Sequence, residues 1–66
     1  MTSRRFAMRL RHIRMAQGLT QDALARKTGI SRAYLARLEM GRHDPPLSRL
    51  RALAKALKVP IATLLE

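Results

Sequence analysis

Apolar residues recur every three or four positions along most of this chain, and glycines interrupt the pattern at Gly18, Gly29 and Gly41. That period belongs to helices buried along one face, while residues that favour strands are few. Phe6, Leu10 and Ile13 share a face, which predicts a helix capped by Thr2 or Ser3, running to about Gln17 and stopped by Gly18. A second helix is expected over 21–28, capped by Thr20 and ended by Gly29, with Leu24 between the small Ala23 and Ala25. Ser31 can cap a third, from Arg32 to about Met40, with Leu35 and Leu38 inward and Gly41 as a left-handed exit. Leu50, Leu53, Ala54 and Leu57 predict a fourth helix over 47–57, and the nearly all-apolar run from Val59 to Leu65 a short fifth, opened by Pro60 in its first turn. The expected fold is all-α: a compact five-helix bundle forming one domain over 1–66, without repeat or linker.

Two capped helices around a glycine-containing turn, over 20–41, make a helix-turn-helix, whose second helix enters the DNA major groove. At about 100° per residue, Ala33, Ala36, Arg37 and Met40 lie outward on the third helix, with Arg32 at the edge. Small alanines beside long arginines suit a groove about 12 Å wide, although an ordinary solvated face carries the same pattern. Gln21, at the start of the second helix, can join backbone N–H groups in holding a phosphate; an exposed polar residue is the plainer reading. Two residues break the polar pattern. Arg14 flanks the apolar stripe of the first helix and Glu39 falls on the inward side of the third, so each supplies the partner the other needs in one partly buried ion pair.

Composition narrows the partner. Fourteen Lys and Arg, eleven of them Arg, against four acidic residues leave a net charge of +10, which attracts nucleic acid or an anionic membrane surface. No run approaches the roughly 18 apolar residues of a membrane span, and the N-terminus lacks the apolar core of a secretory signal, so a soluble, cytoplasmic protein is expected. The chain has no cysteine, which removes disulfides, thiolate nucleophiles and Cys-ligated zinc. His12 and His43 lie on separate segments with few carboxylates, so no metal site, cofactor or catalytic group is expected, and the protein is read as no enzyme. Met8 and Met15, seven apart on the outer face of the first helix, read as surface methionines.

The run RLRHIRMAQGLTQDALARKTGISRAYLARLEMGRHDPPLSRLRALAKALKVPIATLL resembles the phage repressor and Cro type (XRE-like, lambda-repressor-like) of helix-turn-helix domain along nearly its whole length. The resemblance rests on Arg14, GLTQ at 18–21, the LA and Gly of the second helix, GIS before the third, LE and Gly at its end, the following proline, and LAKAL with Val59. It implies a two-fold homodimer on a near-palindromic operator in double-stranded DNA, the two third helices about 34 Å apart. It also implies base contacts from Arg32, Ala33 and Arg37, phosphate contacts from Gln21, Ser31, Tyr34 and Arg42, and pairing of Arg14 with Glu39. Arginine donates twice to the O6 and N7 of guanine, so Arg32 and Arg37 predict guanines in each half-site, and Ala33 could rest on a thymine methyl.

The terminal helix is expected to fold back on the first and to be shared with a second copy, with Val59, Ile61 and Leu64 partly in the core and Leu65 nearer the seam; Ile61, Leu64 and Leu65 are the interface candidates. Three departures from the family pattern stand out: Met40 for a polar residue, Lys58 for the usual glycine, and Pro46 for a capping serine. A chain ending at the fifth helix is expected to leave no room for a ligand-binding domain, and no small-molecule ligand is evident. Phage-type repressor, controller protein of a restriction-modification system and antitoxin-type autorepressor all fit this arrangement. A cationic helical peptide acting on RNA or membranes is the alternative of a different class.

Overall fold

The computed structural model describes residues 3–66, so Thr2, one of the two candidate caps of the first helix, lies outside the described residues. Five helices follow in order: α1 Ser3–Ala16, α2 Gln21–Thr28, α3 Arg32–Glu39, α4 Leu47–Leu57 and α5 Ile61–Leu65. No strand occurs among the described residues.

The capping chemistry sets where α2 and α3 begin. Thr20 Oγ1 accepts from the Ala23 N–H at 3.0 Å and Ser31 Oγ accepts from the Tyr34 N–H at 3.0 Å, each satisfying a donor that the first helical turn leaves unpaired. α2 stops at Gly29, which turns left-handed at φ 75°. α3 stops one residue before the expected Met40, and the reversal falls on Gly41 at φ 76°. Here glycine is required twice over: a Cβ on Gly41 would sit 3.2 Å from the Arg4 Cα, so the start of α1 closes directly on the turn after α3. Ser3 Oγ reinforces that closure by donating to Asp44 Oδ1 at 2.7 Å.

The proline and lysine departures have local consequences. Pro46 occupies the cap position of α4 without a side-chain capping bond, and the helix begins at Leu47. Lys58 takes up the left-handed conformation, φ 58° and ψ 40°, where the family pattern has glycine. Pro60 stands one place earlier than expected: its extended ψ of 150° makes it the cap of α5, and the helix starts at Ile61.

All five helices contribute to one core, in which Phe6, Leu10, Leu24, Leu35, Leu38, Leu53, Leu57 and Leu64 are removed from solvent. Each such side chain stabilises the fold by about 1.5–3 kcal/mol relative to exposure, which a chain this short needs from packing alone. α1 packs against α3 and α5, and α2 against α3 and α4. Polar ties close the ends: Arg9 Nε donates to the Thr63 carbonyl at 2.9 Å, holding α5 on α1, and Gln17 Nε2 donates to the Leu57 carbonyl at 2.6 Å. This arrangement corrects one expectation. Leu64 is wholly buried within its own chain and has no surface to offer a partner, because α5 folds its apolar stripe onto α1 and α4; Ile61 is half-buried, and Leu65 is 41% exposed.

Candidate nucleic-acid interface

The outer face of α3 is fixed from behind by a charged network. Arg14 grips Glu39 with two parallel bonds, Nε to Oε2 at 2.6 Å and Nη2 to Oε1 at 2.9 Å, and Nη1 donates to the Leu19 carbonyl at 2.7 Å. Glu39's side chain is 3% exposed and Arg14's 10%, so the bidentate geometry operates at low dielectric, where it is strongest. The hydrogen bond to Glu39 raises the Arg14 pKa above its ordinary value; burial opposes that shift and the carboxylate charge adds to it, so the guanidinium stays charged. α1 and α3 are thereby held in one register, through side chains 25 positions apart.

Gln21 joins the same network, donating from Nε2 to Glu39 Oε1 at 3.1 Å. An amide nitrogen carries two hydrogens, so the second is left at the N-terminus of α2, oriented by the first. The residue is half-buried.

On the far side of α3, Arg32, Ala33, Arg37 and Met40 are exposed, Ala36 is half-buried, and Leu35 and Leu38 are sealed in the core. Ser31 and Arg42 are exposed at the two ends of the helix, and Tyr34 is half-buried between them with its ring packed on the core. The structure therefore brings together Gln21, Ser31, Arg32, Ala33, Tyr34, Arg37 and Arg42 around one helix, and leaves Ile61 and Leu65 on α5 as a separate location. The carboxylates are all engaged elsewhere. Glu39 faces Arg14, Asp22 pairs with Arg26 at 3.1 Å, Glu66 lies 3.9 Å from Arg9, and Asp44 accepts from Ser3. Among the described residues no ion pair reaches Arg32, Arg37 or Arg42, so this face carries a concentration of positive charge.

Sequence reasoning missed what surrounds Tyr34. The Arg49 guanidinium lies 4.9 Å from the centre of its ring and the Arg37 guanidinium 5.9 Å, while the His43 ring stacks at 6.3 Å with 21° between planes. These residues come from α3, the following loop and α4; Arg37 alone stands at helical spacing from Tyr34, so no periodic signal marks the rest. A cleft of about 410 Å³ elsewhere is lined by Lys27, Thr28, Ala52, Lys55, Ala56 and Lys58 from the C-terminal ends of α2 and α4, where cations complement the helix dipoles. No group of three or more metal-ligating side chains occurs among the described residues, and none of their helices is long and apolar enough to cross a membrane.

A buried helix pair that presents an arginine-bearing second helix on a core-packed frame defines a helix-turn-helix protein. The HTH_3 helix-turn-helix family model matches residues 10–64, and the chain belongs to that family. It is 43% identical over 56 residues to the immunity repressor protein of Bacillus phage phi105, a match covering 85% of this chain and 39% of the repressor. Two bacterial regulators that it also matches, from Sinorhizobium fredii and Rhodospirillum rubrum, are spanned over 61% and 49% of their lengths. Among solved structures it is similar to the restriction-modification controller protein C.AhdI from Aeromonas hydrophila, with a TM-score of 0.91, 35% identity and 94% of each chain covered. It is similar also to a hypothetical transcription factor, NHTF, from Neisseria, with a TM-score of 0.93, 32% identity, and 100% of this chain and 76% of the other covered.

Proposed function

We propose that this chain is a transcriptional regulator that binds a near-palindromic site in double-stranded DNA as a homodimer, inserting α3 into the major groove. The observation that carries the reading is the face of α3: Arg32, Ala33 and Arg37 stand exposed on a helix whose back is sealed by Leu35 and Leu38 and locked by Arg14 and Glu39. Arg32 and Arg37 donate to guanine edges, Ala33 rests on a thymine methyl, and Gln21, Ser31, Tyr34 and Arg42 hold the flanking phosphates. Ile61 and Leu65 form the apolar seam with the second copy. Residues 1–66 act as one DNA-binding domain in the cytoplasm, without a small-molecule ligand or cofactor.

A second reading, the controller of a restriction-modification system, is supported by the C.AhdI likeness, which runs over 94% of both chains. Selection of bound duplexes from a random pool tests the common core of both. The expected product is two guanine-containing half-sites related by a dyad, with centres about one helical turn apart. Recovery of unenriched sequence would discard base reading by α3.

A further inference from the structure

We propose that Arg49, held over the Tyr34 ring, is a further phosphate-binding residue that extends the recognition face onto α4, with Tyr34 as its positioning residue. This rests on the DNA-binding reading above. Three observations converge on it.

Arg49 stands in the first turn of α4, the positive end of that helix dipole, where a cation is disfavoured. The turn holds no acidic residue and no side-chain cap, so nothing there offsets the charge. Among the described residues no ion pair reaches Arg49. An exposed arginine at an uncapped helix N-terminus is electrostatically unfavourable in the free protein and is relieved by an external anion.

The ring supplies the geometry. Tyr34 is half-buried with its ring packed on the core, so its plane does not wander, and the Arg49 guanidinium lies 4.9 Å from its centre. A flat guanidinium against a flat ring is restricted in orientation while its N–H edge stays free to donate. The same ring lies 5.9 Å from the Arg37 guanidinium, and His43 stacks on it from the loop. Arg49 is thereby set beside a base-reading arginine, on the same surface, by a contact that α4 could not provide alone.

Salt dependence separates the roles, because only a charged contact releases counterions. With a duplex recovered by selection, Arg49→Gln is expected to reduce the slope of log affinity against log salt by about 0.9 per protomer, the value for one phosphate, and so by about 1.8 for the homodimer, with the selected half-site unchanged. Arg49→Lys keeps the charge and should keep the slope. Tyr34→Phe removes a neutral hydroxyl and keeps the ring, so its slope should equal that of the wild type. Tyr34→Leu should weaken binding about two- to fivefold per protomer more in the wild-type background than in the Arg49→Gln background, the range of an exposed cation–π contact. A wild-type slope in Arg49→Gln overturns the phosphate assignment, and equal costs of Tyr34→Leu in the two backgrounds overturn the positioning role. A wild-type protein that selects no duplex overturns the DNA-binding reading itself.

Discussion

Arg14 Nε lies 2.6 Å from Glu39 Oε2, joining the last turn of α1 to the last residue of α3 in a pair almost closed to water. Removing one member leaves the other charged and buried, which costs about 3–5 kcal/mol, a large share of the stability of a 66-residue chain. Glu39→Ala should therefore lower the melting temperature by more than about 10 °C, at roughly 4–8 °C per kcal/mol. The double variant Arg14→Met with Glu39→Leu removes both charges and should recover much of the loss. An unchanged melting curve in Glu39→Ala would remove the pair from any account of the fold.

Two glycines with the same backbone sign differ in their surroundings. Gly18 and Gly41 have φ of 72° and 76°, but a Cβ on Gly18 meets nothing within 4 Å whereas one on Gly41 meets the Arg4 backbone at 3.2 Å. Gly18→Ala should cost only the left-handed penalty, about 1–2 kcal/mol, and Gly41→Ala measurably more. Urea midpoints of the two variants provide the comparison, and equal midpoints would mean that α1 can shift away from the turn freely.

Lys58 is the reverse case, a side chain where glycine fits better. Lys58→Gly should stabilise the chain by about 0.5–1 kcal/mol by relieving the left-handed strain at φ 58°. Thermal melting reads this directly, with a rise of a few degrees expected.

Leu64 and Leu65 are neighbours with different expected failures. Leu64→Ala opens a cavity in the core and should cost about 2–5 kcal/mol. Leu65→Glu places a charge on an exposed position and should leave the melting curve of dilute protein near that of the wild type while reducing self-association in sedimentation. Wild-type association in Leu65→Glu would remove α5 as the proposed dimer seam.

Base readers and backbone holders separate by what they change. Arg37→Ala should flatten preference at one position of a selected site, a loss of about 1–3 kcal/mol of discrimination. Arg42→Ala should weaken all sequences alike and reduce the salt slope by about one per protomer, about two for a homodimer. An unaltered site profile for Arg37→Ala would exclude it as a reader.

Much of the fold is legible along the chain because helices are local. The apolar period, the caps Thr20 and Ser31 and the glycine stops depend on residues within a few positions of one another, and they locate α1 to α4 nearly to the residue. The inward and outward faces of α3 follow from angle alone, and so does the isolation of Arg14 and Glu39 on faces that needed a partner. What lies between elements is decided by packing. Whether Leu64 points into its own chain, whether Gln21 orients its amide on Glu39, why Gly41 must lack a Cβ, and that Arg49 meets Tyr34 all depend on where separate helices cross. Such contacts join residues far apart in sequence, where no period relates them, and only the tertiary structure brings them within bonding distance.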